Sequence, residues 1–358
     1  MNPGKINFNA GPASLPPEVK QEFAEAVKEY GNTDVSVLEL QHRGTDFLEI
    51  VEECNALVRE LCGIGQDYEV LWLHGGGRIQ FAMIPMNFLS PGDSAGYIDS
   101  GYWAAEAMEY GAYYGKVDVL ASSRSSGYNR LPEWPAEISE HLKYLHITTN
   151  NTIYGTQYHS VPLVKVPLVA DMSSDIYSCA RNYNQYDMFY AAVQKNLGTP
   201  GVALAVIKRS MLDRITNALP PVLDYRAQVK EKSILNTANV SGIYMALLML
   251  RWTKAKGIAN IEAANERKAA MLYELLDRSS LFTPYVVEKS HRSKMNVCFT
   301  IQDAEKEAAF LQLCNNNNIV GVKGHRSTGG FRVSIYNAVT EPEVKTLVDL
   351  MQHFEAKA

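Results

Sequence analysis

The sequence predicts an α/β protein: a large domain on a mainly parallel mixed sheet flanked by helices, followed by a smaller α+β domain. Three observations carry this reading. Short apolar runs ending in turn residues recur through the first two thirds of the chain, several are separated by enough residues for a crossover helix, and the texture changes after about residue 258. The 358 residues also amount to about two domains at ~150 residues each. We place the boundaries at 1–15 for an N-terminal segment packing with the small domain, 16–258 for the large domain and 259–358 for the small one.

Each element has its own signal. Pro17 suits the first position of a helix that presents Val19, Phe23, Val27 and Tyr30 on one face, with Gly31 as its stop. A second helix begins near Asp46, where Phe47, Ile50, Val51, Cys54, Leu57, Val58 and Leu61 recur at helical spacing before Gly63. Strands are expected at Val70 to Leu73, Gly96 to Ile98, Tyr144 to Ile147, Val166 to Ala170, Phe189 to Val193 and Val202 to Ile207, with a helix starting at Ile79. Beyond residue 258 a long helix over Ile261 to Leu276 leads to extended segments at Tyr285 to Val287 and Asn296 to Ile301. A helix over Ala304 to Cys314 and strands at Ile319 to Val322 and Phe331 to Tyr336 follow. The pattern Thr340-x-x-Glu343 is a capping box that opens the last helix.

Composition narrows the function. With 34 Lys and Arg against 39 Asp and Glu, the net charge is −5, so no global basic field attracts nucleic acid or an anionic membrane. The five cysteines form no CxxC pair and no His/Cys group at metal spacing, which fits reduced thiols, no metal and a cytoplasmic location. The first residues carry no apolar signal region, and the apolar stretch around Tyr244 to Leu250 is far shorter than the ~20 residues that span a bilayer.

The chemistry-bearing residues lie mainly at strand ends. The run HGGGR, His74 to Arg78, joins a strand to a helix; it is either a tight turn or a cradle in which backbone N–H groups meet an anion. It fits neither a dinucleotide fingerprint nor a P-loop. Asp171 ends the run Val166 to Ala170, where open α/β sheets bind ligands, although a solvated loop aspartate would read the same way. Lys195 lies between FYAAVQ and NLGTPG, a lone cation beside apolar sequence; burial would lower its amine pKa and make it a nucleophile toward carbonyls. A lysine, a carboxylate and a phosphate loop together suggest pyridoxal phosphate, serving its aldehyde, its pyridine nitrogen and its phosphate respectively. Trp103 is either a core residue or a stacking platform for that ring. The pairs His42-Arg43 and His325-Arg326, with Arg332 on a strand-like segment, suit a substrate with several negative charges; surface salt bridges are the other reading.

Taken in order, FNAGPASLP near the start, QHRG (41–44), HGGGRIQF (74–81), DSGYWA (99–104), NNTIYGT (150–156), ADMSSD (170–175), AVQKNLG (192–198), LNT (235–237) and KGHRSTGGFRVSIYNA (323–338) resemble the phosphoserine aminotransferases. These are class V members of the fold-type I pyridoxal phosphate enzymes. The resemblance implies that Lys195 bonds the cofactor's aldehyde carbon, Asp171 meets the pyridine nitrogen and Trp103 stacks on the ring. It places Gly77, Arg78, Thr152 and Gln194 at the phosphate and ring oxygen. It also implies a homodimer with shared sites, in which Asn236 and Thr237 reach the phosphate held by the other subunit. Arg332 would take the substrate's α-carboxylate. His42 and Arg43 would take its distal anion, with His325 and Arg326 contributed across the dimer. The implied substrates are L-glutamate, 3-phosphohydroxypyruvate and O-phospho-L-serine, with 4-phosphohydroxy-L-threonine of pyridoxine biosynthesis as a further one. Ala10 stands where some relatives have a serine, which leaves recognition to the arginines. The rival readings are an alanine:glyoxylate aminotransferase, a cysteine desulfurase and a non-catalytic phosphate-ligand-binding α/β protein.

Overall fold

The computed structural model describes residues 4–357, so the first three residues of the 1–15 segment and Ala358 lie outside the described residues. The chain opens with β1 (Ile6–Asn7), α1 (Pro17–Lys28) and α2 (Thr45–Cys62). Pro17 occupies the first turn of α1 as expected, but α1 stops at Lys28 rather than running to Gly31. The amide of Tyr30 bonds to the carbonyl of Val35 at 2.8 Å, closing a turn that ends the helix early, while the Tyr30 ring still packs edge-on against Tyr244. α2 ends as its sequence indicates, on Gly63 in the left-handed conformation.

The central sheet comes next. Its strands are β2 (Tyr68–His74), β3 (Ser94–Asp99), β4 (Lys116–Ser122), β5 (Leu145–Thr148), β8 (Leu168–Asp171), β9 (Met188–Ala192) and β10 (Val202–Lys208), interrupted by α3 (Gly77–Phe88), α4 (Tyr102–Gly111) and the two-residue strands β6 (Asn150–Asn151) and β7 (Thr156–Gln157). The order β2-β10-β9-β8-β5-β3-β4 is parallel throughout except at β10, which runs antiparallel to both β2 and β9. A turn of residues 193–201 joins β9 to β10, too short for a crossover helix, and antiparallel neighbours need none. Both faces of this sheet are covered, so its strands read as nearly continuous apolar runs instead of alternating. Unexpected from the sequence are α4 and β4; the exposed or half-buried positions of β4 at the sheet edge give it a weak apolar signal.

After α5 (Arg209–Leu212) and α6 (Tyr225–Lys230), α7 (Val240–Lys256) packs against α1 and α2. It contains the apolar stretch around Tyr244 to Leu250 and is buried on nearly all sides, so it has no polar stripe to reveal a helical period. No helix among the described residues is long and apolar enough to cross a membrane.

The chain continues with α8 (Ile258–Arg278), β11 (Thr283–Pro284), β12 (Asn296–Thr300), α9 (Ala304–Asn316), β13 (Ile319–Val320), β14 (Phe331–Ser334) and α10 (Glu341–Glu355). β11, β12 and β14 form an antiparallel sheet, while β13 pairs in parallel with β1, Ile6 opposite Ile319. The strand expected at Tyr285 to Val287 lies instead at Thr283–Pro284. The amide of Tyr285 still bonds to the Cys298 carbonyl of β12, but its hydroxyl donates to the carbonyl of Gly127 and the amide of Val287 donates to the carbonyl of Asn129, tying this segment to the loop after β4. The strand expected to reach Val322 ends at Val320, because Gly321 turns at φ 81° where a Cβ would lie 2.4 Å from the amide nitrogen of Asn9. Both bonds of the Thr340/Glu343 capping box are formed.

Candidate active site

The carboxyl ends of β2, β5, β8 and β9 meet around a cavity of about 250 Å³, at the sheet edge where open α/β folds take ligands. Lys195 enters it from the turn after β9, and its Nζ donates to Thr152 Oγ1 at 2.8 Å. Burial lowers its amine pKa to about 8; nearby Asp171 opposes this and Arg332 reinforces it. Asp171, the last residue of β8, is 5% exposed and accepts the amide N–H of Ser173 at 2.9 Å. Burial raises its pKa, while the Ser173 hydrogen bonds and the Lys195 charge pull it back down. A half-buried amine and a buried carboxylate thus share one cavity, each shifting the other toward its charged form.

The glycine run works through the main chain. Gly75 bends at φ 95°, Gly76 caps α3 without a side chain, and the first amides of α3, at Gly77 and Arg78, face the cavity at the helix's positive end. The Arg78 guanidinium itself turns away to pair with Glu106 and lies 5.1 Å from the Trp103 ring. What Arg78 offers an anion is therefore its N–H. Trp103 sits in the first turn of α4, which starts tight against β6 because residue 101 is glycine; a Cβ there would lie 2.5 Å from Asn151 Oδ1. Phe81 backs the indole at 6.5 Å between centroids.

Three groups lining this cavity, Trp103 Nε1, Thr148 Oγ1 and Gln194 Oε1, are buried with no hydrogen-bond partner, as is Arg332 Nε beside it. Buried polar atoms are normally paired, so orphans converging on one cavity mark a polar ligand. An amine for an aldehyde, a carboxylate for a ring nitrogen, an indole face and a helix N-terminus for a phosphate fit pyridoxal phosphate.

The structure thus brings together Gly77, Arg78, Trp103, Thr152, Asp171, Gln194 and Lys195. Arg332, on β14, is close enough to act on the charge of Lys195. His325 and Arg326 lie on the hairpin before β14, with the His325 ring 5.6 Å from that of Tyr102. His42, Arg43, Asn236 and Thr237 do not line the cavity; Arg43 donates to the carbonyl of Leu235, so this group shares one exposed surface of the chain. Sequence reasoning missed Thr148, Asn150, Ser173 and Ser174 as lining residues, although all but Thr148 fall inside NNTIYGT and ADMSSD. Thr148 ends β5 as Asp171 ends β8, and the two are paired across the strands. Cys314 is fully buried in the core of the C-terminal sheet and its helices, and Cys179, the one partly exposed cysteine among the described residues, does not line the cavity, which disfavours the desulfurase reading.

Comparison with known proteins agrees with this chemistry. The family model described as aminotransferase class-V matches residues 6–347. A phosphoserine aminotransferase of Phocaeicola vulgatus is 42% identical over 98% of this chain and 99% of its own. The structure of a phosphoserine aminotransferase from Bacillus circulans subsp. alkalophilus superimposes with a TM-score of 0.96 at 38% identity, covering 99% of both chains. That of a PLP-bound phosphoserine aminotransferase from Trichomonas vaginalis gives 0.90 at 31% identity, covering 97% of this chain and 99% of that one. The chain belongs to the class V aminotransferases and, within them, to the phosphoserine aminotransferases, which act with pyridoxal phosphate.

Proposed function

We propose that this protein transfers an amino group reversibly between L-glutamate and 3-phosphohydroxypyruvate, giving 2-oxoglutarate and O-phospho-L-serine. The observation that carries the reading is the half-buried Lys195 amine near buried Asp171 in a cavity closed by Trp103 and the N-terminus of α3. Pyridoxal phosphate, when bound, supplies an aldehyde for the substrate's amine and a ring that accepts the electron pair left when the α-carbon loses its proton. Lys195 Nζ takes that proton; a depressed amine pKa keeps a large share of it neutral and able to do so near pH 8. Asp171, ionised, would hold the ring nitrogen in its protonated form. Trp103 would stack on the ring, Thr152 and Gln194 would meet its polar substituents, and the amides of Gly77 and Arg78 would take the phosphate.

For the substrate, Arg332 fits the α-carboxylate, since its guanidinium has an unpartnered buried Nε beside Lys195. Recognition of the distal phosphate or γ-carboxylate falls to His42 and Arg43 together with His325 and Arg326. Within one chain these pairs lie apart, Arg43 beside Leu235 and His325 beside Tyr102, so our reading reverses the expectation from the resemblance: His42 and Arg43, not His325 and Arg326, come from the partner. We therefore read the working form as a homodimer in which the surface carrying Arg43, Asn236 and Thr237 faces a cavity of the partner. The 16–258 and 259–358 division is our reading of the two sheets, with residues 4–15 bridging β13 and the Lys195 turn. 4-Phosphohydroxy-L-threonine, which carries the same phosphate and amino acid groups, is a further candidate substrate. The test is the complete reaction: purified protein with cofactor, L-glutamate and 3-phosphohydroxypyruvate should yield O-phospho-L-serine and 2-oxoglutarate in equal amounts. No product, or faster turnover of alanine with glyoxylate, would overturn the reading.

A further inference from the structure

The motif ADMSSD ends on Asp175, a charged residue that is 1% exposed, does not line the cavity and has no part in any step above. Its carboxylate is engaged entirely inside the protein. Arg181 Nη2 donates to Oδ2 at 2.6 Å, Gln157 Nε2 donates to the same oxygen at 3.3 Å, and the Thr149 hydroxyl donates to Oδ1 at 2.5 Å. Both charges of the Asp175–Arg181 pair are withdrawn from water, and Arg181 Nη1 has no partner. Such a pair is a poor source of stability compared with apolar side chains of similar size.

Two hydrogen-bonded paths lead from Asp175 to Asp171. The first runs through the turn after β8. The amide of Asp175 donates to the carbonyl of Met172 at 3.2 Å, and within the turn so closed the amide of Ser173 donates to Asp171 Oδ1 at 2.9 Å. Ser173 is held from β9 as well, because its hydroxyl accepts the Ala192 amide at 3.0 Å. The second path runs through the end of β5. The Thr149 hydroxyl has one hydrogen and two acceptors within reach, Asp175 Oδ1 at 2.5 Å and the Asp171 carbonyl at 3.1 Å; the charged oxygen takes it. The Asp171 carbonyl keeps the Thr149 amide, at 3.0 Å. The Asp175 carboxylate therefore fixes Thr149, and Thr149 fixes the main chain of Asp171. We propose that Asp175, clamped by Arg181, is a positioning residue for the transamination: it aims the Asp171 carboxylate into the cavity, holding its side chain through the Ser173 turn and its main chain through Thr149. This rests on the functional reading above, in which Asp171 meets the cofactor's ring nitrogen.

The test is Asp175→Asn in the full chain, read as cofactor binding. The cofactor-free protein is titrated with pyridoxal phosphate and, separately, with an analogue in which C–H replaces the ring nitrogen; both keep the aldehyde and the phosphate. The unsubstituted protein should prefer the cofactor, since only the cofactor offers Asp171 a charge-assisted bond. Asp175→Asn should raise the dissociation constant of the cofactor roughly fivefold, a partial loss of that bond, and that of the analogue by less than about twofold. A merely structural role would weaken both alike. Equal weakening, or an unchanged preference for the ring nitrogen, would overturn the proposal. Asp175→Asn leaves the Arg181 charge buried and unpaired, which is costly. If it does not fold, Thr149→Val keeps the ion pair and cuts only its tie to the end of β5. That variant should shrink the preference for the ring nitrogen by at least about twofold, and an unchanged preference there would also overturn the proposal. Because these titrations need no amino substrate, they separate failure of this proposal from failure of the substrate assignment.

Discussion

At the residue scale the central object is Lys195, whose amine pKa is lowered to about 8 by burial. Only the neutral amine attacks an aldehyde. The rate at which the cofactor-free protein captures pyridoxal phosphate should therefore rise with pH and level off above about pH 8, where an exposed lysine would still be climbing toward ~10.4. Lys195→Ala should fold, capture no cofactor covalently and lose turnover; near-normal turnover would contradict the assignment. Arg43→Ala should damage turnover of O-phospho-L-serine at least tenfold more than that of alanine, since a charge-assisted bond of ~1.5–3 kcal/mol is lost only where the substrate has a distal anion. Equal losses would remove Arg43 from the site. Much of this was legible because Asp171 and Lys195 each break an apolar run at a strand end. Arg78 was legible only as a position: its guanidinium belongs to Glu106, a partner 28 residues away that no local pattern announces.

The element scale shows how the C-terminal half holds Arg332 in place. Lys268, on α8 and 1% exposed, donates its amine to the carbonyls of Ile335, Tyr336 and Val339 at 2.8–3.0 Å, pinning the chain just after β14. Lys268→Met would leave the Ile335 and Val339 carbonyls unpaired, while that of Tyr336 keeps the Val339 amide at 2.9 Å. At ~1–3 kcal/mol for a buried unsatisfied group, the loss should exceed about 2 kcal/mol even after relaxation. Chemical denaturation of the variant checks this, and a change under about 0.5 kcal/mol would show that the turn does not depend on the amine. Elements with a period or a punctuating residue were readable: α2 with Gly63, and α10 with its capping box. α7 was not, because burial on all sides erases periodicity, and β11 was displaced because Tyr285 and Val287 bond to the loop at 127–129. β10 reads like its neighbours from sequence; its reversed direction is set by the short turn that carries Lys195.

For the whole molecule, the claim is that one chain does not make a complete site. Its exposed Arg43, Asn236 and Thr237 do not line its own cavity, so the roles that the resemblance implies for them require a second chain. Mixing subunits tests the sharing. In a dimer of one Lys195→Ala chain and one chain with both Asn236→Ala and Thr237→Ala, one of the two sites collects all intact residues if 236 and 237 reach across. Refolding the two inactive or weakened variants together should then restore activity well above either alone, whereas no recovery would mean that each site is built from one chain.

The measurement closest to the central claim is the absorption spectrum of the purified holoenzyme during titration with O-phospho-L-serine, with alanine and cysteine as controls. The account predicts a visible band that O-phospho-L-serine abolishes as 3-phosphohydroxypyruvate appears, while the controls leave the band in place at the same concentrations. A band that responds only to alanine or cysteine, or no band with added cofactor, would contradict it.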